Sequence, residues 1–157
     1  MIPEAVTIAT IALAMGTYGR IAAMNEAAMI RDRIDAGINE DLDHGALLRE
    51  RIAVGAIITL VLSLAHAWFL NLDGRVAVPT ILAHALRLAA FGWASFTILH
   101  RLSLNSARKL PWWYCAPGNN YDRVFLWVMG GNVKAASTAM YAFEALVAAI
   151  TITSLWW

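Results

Sequence analysis

At 157 residues, 60% hydrophobic, 15% charged and with a mean hydropathy of +0.58, the chain is long enough for one domain and too apolar for an ordinary water-soluble one. Its formal net charge of +1 offers no electrostatic excess for binding nucleic acid. The single cysteine, Cys115, excludes an internal disulfide and any metal site built from two or four cysteines of one chain.

Four apolar segments, near 6–29, 52–70, 78–100 and 135–157, are each long enough to cross a hydrocarbon core of about 30 Å as a helix. The expected fold is an all-α integral membrane four-helix bundle, a single transmembrane domain over 1–157. In the first segment, Met1-Ile2-Pro3-Glu4 supplies no positive n-region, so despite Ala12-Leu13-Ala14 it reads as a retained span and not a cleaved signal peptide. Ala5, Ala9, Ala12, Gly16, Gly19 and Ala23 recur on it with 4-3-4-3-4 spacing, a seam of small residues on which another helix can sit closely.

The loop that follows, "RDRIDAGINEDLDHGALLRER", carries Arg31, Arg33, Arg49 and Arg51, with Arg20 snorkelling from the first span. Asn39, Asp41, Asp43 and Glu50 fall at positions 1, 3, 5 and 12 of a calcium-loop spacing. His44 stands where that loop requires glycine, so the segment reads as a solvated acidic loop and no metal site is expected. On the second span Gly55, Thr59, Ser63 and His66 form a small and polar stripe. Asn71-Leu72-Asp73-Gly74 is a turn signal, and Pro79 suits the first turn of the next helix, so spans two and three read as a tight antiparallel hairpin.

Beyond the third span come Arg101, Arg108, Lys109 and Arg123, whereas the short connection 71–77 holds only Arg75. This asymmetry puts both large loops in the cytoplasm and both termini outside. A helix from Val124 to Trp157 would be about 51 Å long, too long for one span. Gly130-Gly131-Asn132 is the expected break, with a short interfacial helix near 121–129 ahead of it. Trp112, Trp113, Tyr114, Tyr121 and Trp127 then read as interfacial anchors or partner contacts, with the bilayer itself as the first partner. Ser137, Tyr141, Glu144, Ala148 and Thr151 make a polar stripe on the last span.

Counted from the expected helix starts, Arg87 and Glu144 each lie about 14 Å deep, from opposite faces. A lone charge there costs at least about 2.5–3.5 kcal/mol, so an Arg87–Glu144 pair is expected, with Tyr141 as an extra donor. His84 shares the face of Arg87, and His66 reaches a similar depth on the neighbouring helix. Two imidazoles at one level could ligate a b-type haem; hydrogen-bonded histidines in a polar interior are the simpler reading, and no cofactor is then required. No phosphate loop, nucleophile elbow or zinc-protease motif occurs, so no catalytic residue stands out and nothing points to an enzyme.

The run Trp113-Tyr114, Pro117-Gly118, Tyr121-Asp122-Arg123 and Phe125-Leu126-Trp127 resembles a segment of small uncharacterised membrane proteins encoded by phages and prophages. The resemblance implies a bacterial or phage inner-membrane protein and transfers no catalytic residues. Three functions fit these readings. One is a non-enzymatic structural or assembly component, as a homo-oligomer or with other membrane subunits. Another is a proton- or ion-conducting or holin-like protein using Arg87, Glu144 and His84. The third is a haem-binding electron carrier.

Overall fold

The computed structural model describes residues 2–37, 44–70, 78–115 and 120–154, and the regular structure among them is wholly helical. Five helices follow one another: α1 (Ile2–Asp35), α2 (His44–Leu70), α3 (Val78–Ala107), α4 (Asn120–Val128) and α5 (Val133–Ser154). Among the described residues, three stretches are long and apolar enough to cross a membrane, Ala5–Asp35, Leu82–Ala107 and Val133–Ser154. The apolar stretch of α2 begins at Ile52, after Arg49, Glu50 and Arg51 near its start.

The helices overrun the expected spans. α1 is 34 residues long and α3 30, where 6–29 and 78–100 were expected, and α2 starts well before residue 52. A charge ends an apolar segment without ending a helix: nine of the twelve residues 22–33 of α1 are Ala, Met, Arg or Glu, all good helix formers. α4 matches the expected short helix. It stops at Gly130 and Gly131, whose φ angles of 60° and 82° few other residues adopt readily, with Gly131 N–H donating to Leu126 O at 2.7 Å. Asn132 Oδ1 then accepts from Ala135 N–H at 3.0 Å and caps α5, which begins at Val133 and not at 135.

α3 is the central element, packed against α1, α2 and α5, while α4 lies on α5. α1 runs parallel to α3: Ile11 and Met15 lie against Gly92, and Gly19 lies against Phe96 and His100. α2 is antiparallel to α1, because Thr7 meets His66 at one end and Glu26 meets Arg51 at the other. α5 is antiparallel to α3, since Arg87 meets Ser154 and Arg101 meets Glu144. Ile11, Met15, Leu88, Phe91 and Phe96 form the central apolar cluster.

The small-residue seam of α1 is real over its second half. A Cβ on Gly19 would lie 2.9 Å from the Phe96 carbonyl oxygen, so only glycine lets the α1 and α3 backbones approach this closely. Gly16 and Ala23 are buried with it, whereas Ala5 and Ala9 are exposed. A 4-3 spacing has a period of 3.5, and a straight helix drifts by about 20° per heptad against it, which turns the far end of the stripe off the contact. All of Gly55, Thr59, Ser63 and His66 are buried, as are Ser137, Glu144 and Thr151, with Tyr141 and Ala148 half-buried.

Four hydroxyls on these apolar helices donate to carbonyls one turn back: Thr10 to Val6, Ser95 to Phe91, Thr138 to Lys134 and Thr151 to Val147. That local bonding lets them sit where water is excluded. The expected turn at Asn71-Leu72-Asp73-Gly74, the residues Asn39, Asp41 and Asp43 of the calcium-loop spacing, Pro117-Gly118 and the terminal Trp156-Trp157 lie outside the described residues.

Candidate functional site

The charged residues inside the helices collect near the C-terminal end of α3, in two clusters joined through the consecutive residues His100 and Arg101. The first lies between α1, α2 and α3. Glu26, 4% exposed, accepts a hydrogen bond from Arg51 Nη2 on α2, and His100 Nε2 on α3 lies 3.3 Å from the same carboxylate oxygen. The His100 ring stacks on Phe96, which stacks in turn on Tyr18 and Trp93. Three helices are thus tied together at a single buried carboxylate.

The second cluster lies between α3, α4 and α5. Arg101 Nη2 donates to Asp122 Oδ1 at 3.1 Å, and its Nη1 lies 3.8 Å from Glu144 Oε1. The guanidinium also stands over the rings of Tyr121 and Tyr141, 5.6 and 5.5 Å from their centroids. A weakly hydrated planar cation suits such a cage, in which two carboxylates and two aromatic faces replace its water. Tyr121 Oη donates to Glu144 Oε1 at 3.3 Å, and Tyr141 Oη donates to the Trp112 carbonyl at 3.1 Å. Burial, followed by the neighbouring Glu144 carboxylate, pushes the Tyr121 phenol up to about 12, so it remains a proton donor at any physiological pH.

The α3–α4 connection is held to this cluster from below. Asn105 Nδ2 donates to the carbonyls of Trp112 and Tyr114, at 3.2 and 3.1 Å. Cys115 is buried against Ala136 and Met140, with Sγ 3.8 Å from the Val133 carbonyl, and burial followed by the Asp122 charge pushes its thiol up. Met129, Phe125 and Leu126 close that pocket from α4.

The expected Arg87–Glu144 pair does not form. Arg87 is exposed and its Nη1 donates to the Ser154 carbonyl at 2.9 Å, while Glu144 meets Arg101 and Tyr121. Register is the reason. Antiparallel packing of α5 on α3 sets Ser154 level with Arg87, and Glu144 lies ten residues back along α5, opposite Arg101. Counting depth from helix starts missed this, because α3 continues through Arg101 to Ala107.

His66 and His84 do come together, near the opposite end from the charged clusters. Their rings stack at 4.7 Å between centroids and 10° between planes, with Thr7 Oγ1 2.8 Å from His66 Nδ1. A haem held by both would need iron and macrocycle between the imidazoles, and rings stacked face to face do not fit that role. Tyr141 joins the charged cluster with Glu144, whereas Arg87, His84 and His66 do not. Of the expected anchors, Trp112 and Trp127 are exposed, Trp113 and Tyr114 half-buried, and Tyr121 turns its hydroxyl inward to Glu144.

Sequence reasoning passed over Glu26, Arg51, His100, Arg101, Asp122 and Asn105. Glu26 carried a usable signal, as an acid inside the expected first span that requires a partner. Arg101 carried none, because it stood just past the assumed end of the third span, and Asp122, inside the expected interfacial helix, was given no partner. No protein-family model, no curated protein and no solved structure matches the chain.

Proposed function

We propose that this chain is a four-span inner-membrane protein acting as a non-enzymatic assembly component, and that it associates with itself or with other membrane subunits through the outer face of α5. One observation carries this reading. The first half of the outward face of α5 is lined by small side chains, with Ala135, Thr138, Ala139 and Ala142 bordering a shallow groove of about 510 Å³ together with Asn132 and Lys134, and Leu146 and Ile150 are exposed beyond it. Lipid tails gain nothing from small residues, whereas a second helix packs closely on them. The buried charges, by contrast, are turned toward one another and serve to align α1, α2, α3, α4 and α5.

In this frame the hydrocarbon layer runs from the level of Arg87 and Ser154 to that of Ala107 and Lys134. Each interval is 20 residues, about 30 Å of helix. α2 is the fourth span, and its Arg49-Glu50-Arg51 end lies at the boundary where Arg51 reaches Glu26. Trp112, Trp113, Tyr114 and Trp127 fall in the headgroup layer on the side of the large loops, read as cytoplasmic from their excess of Lys and Arg.

The test is the oligomeric state of the full chain in mild detergent and in nanodiscs, with Ala139→Leu and Ala142→Leu filling the α5 groove. The expected result is a defined oligomer, or a complex with a second membrane protein, that these substitutions dissociate. A folded chain that is monomeric at all concentrations and recovered alone from native membranes refutes the assembly reading.

One observation favours ion or proton conduction as a second reading. Glu144 Oε2 and Arg101 Nη1 are buried without a hydrogen-bond partner among the described residues, so the cluster has room in its bonding for a water or a mobile proton. Glu144→Gln then changes the proton leak of reconstituted liposomes. An unchanged leak in the folded variant removes this reading.

A further inference from the structure

Where α1 and α3 end side by side, a second groove of about 630 Å³ opens, lined by Ala27, Ile30, Arg31 and Ile34 on α1 and by Ala107, Arg108, Lys109 and Leu110 at the end of α3. We infer that this groove is a binding site for the headgroup of an anionic phospholipid, with Arg31, Arg108 and Lys109 around the phosphate. The inference rests on the membrane frame of the proposed function, not on the assembly role.

Three features of the groove converge on that ligand. First, among the described residues nothing neutralises its cations. Arg31, Arg108 and Lys109 form no ion pair with any described residue, and Arg108 only stands over the Tyr114 ring at 5.6 Å. The acids nearest in the chain, Asp32 and Asp35, are exposed and do not line the groove. This contrasts with Arg51 and Arg101, both of which are matched to buried carboxylates.

Second, the backbone keeps a lysine where glycine is the easier residue. α3 closes with Lys109 N–H on Ser106 O at 3.0 Å and Leu110 N–H on Asn105 O at 2.8 Å, which sets Lys109 at a φ of 55°. The same geometry at the end of α4 is met by Gly130 and Gly131. Third, the groove lies where lipid phosphates are. Its basic rim falls just past Ala107, at the level assigned to the headgroups, and the Tyr114 ring stands against Arg108.

The experiment is native mass spectrometry of the full chain released from nanodiscs that contain phosphatidylglycerol and phosphatidylcholine in equal amounts with the same acyl chains. The expected result is a preference for phosphatidylglycerol of up to about a hundredfold, given that each of the three basic side chains near an anionic surface contributes on the order of a fivefold factor. Arg31→Gln, Arg108→Gln and Lys109→Gln together abolish the preference. Lys109→Gly, which relieves the positive φ and so keeps the fold, lowers it by up to about fivefold. Equal retention of the two lipids by the membrane-inserted chain, or a preference that survives the triple substitution, overturns the site and leaves the membrane reading standing. Glycerol phosphate displacing the bound lipid at millimolar concentration assigns the groove to free phosphate and overturns the lipid assignment. A chain washed from membranes by alkaline carbonate refutes the membrane frame itself.

Discussion

The two arginines of α3, Arg87 and Arg101, are fourteen residues apart on one helix, and the structure treats them in opposite ways. Arg87 is exposed and makes one hydrogen bond to a backbone carbonyl, that of Ser154. Arg101 has a side chain only 12% exposed, enclosed by Asp122, Glu144, Tyr121 and Tyr141. The same guanidinium is a peripheral clasp in one place and the centre of a polar core in the other. What separates them is the partner that antiparallel packing brings to each level, since both sit on an apolar helix. An arginine near the end of a span can reach the interface, but one facing three packed helices must be satisfied where it is.

The largest effect is expected from breaking the enclosed member. Arg101→Met leaves Asp122 and Glu144 buried without their cation and should destabilise the chain by about 3–5 kcal/mol in detergent unfolding followed by circular dichroism. Adding Asp122→Asn and Glu144→Gln to it should recover much of that loss, because a neutral cluster has no uncompensated charge. A triple variant no more stable than Arg101→Met would show that the cage contributes through shape and not through charge.

Next in size is the neighbouring cluster. Glu26→Gln removes the carboxylate shared by Arg51 and His100 and should cost about 1.5–3 kcal/mol by the same measurement, less than Arg101→Met because Arg51 lies toward the helix end and can reach water. Arg87→Gln, the peripheral counterpart, should cost no more than about 1 kcal/mol. If Arg87→Gln equals Arg101→Met, the contrast between the two arginines is wrong.

The smallest effect concerns Cys115, beneath the Arg101 cage. Burial followed by the Asp122 charge raises its thiol above the ordinary 9.0, so the neutral form is favoured in the folded state. That contribution to stability is fully present below pH 9.0 and is lost as pH rises through the raised value of the folded state. Maleimide labelling near neutral pH should therefore be slow in the folded chain and fast after denaturation. Equal rates would mean that the pocket formed by Ala136, Met140, Phe125 and Met129 is open.

Much of the architecture is legible from local patterns, for reasons that particular residues make plain. The Gly130-Gly131 break follows from conformational freedom, the buried stripe of Gly55, Thr59, Ser63 and His66 from helical period, and the α4 helix from the distance a single span can cover. Depth was legible only approximately. Glu144 is buried and meets a cation, and His66 and His84 stack at one level. Their partners were not legible, because a partner is set by the register between helices and each residue of shift moves a side chain by 1.5 Å and 100°.

The amino-acid sequence by itself determined that this chain is helical and apolar, that its charges lie at a few points along long helices, and that each buried one must meet its opposite. These follow from hydropathy, period and the cost of an unpaired charge, all properties of single segments. Only the tertiary structure decided that Glu144 faces Arg101 instead of Arg87, that Glu26 joins Arg51 to His100, and that Arg31 meets Arg108 and Lys109 at a shared groove. The physical reason is that Gly19 and Gly92 bring α1 and α3 together in one parallel register while α5 runs back along α3, and this packing, not the spacing along the chain, sets which charges share a level.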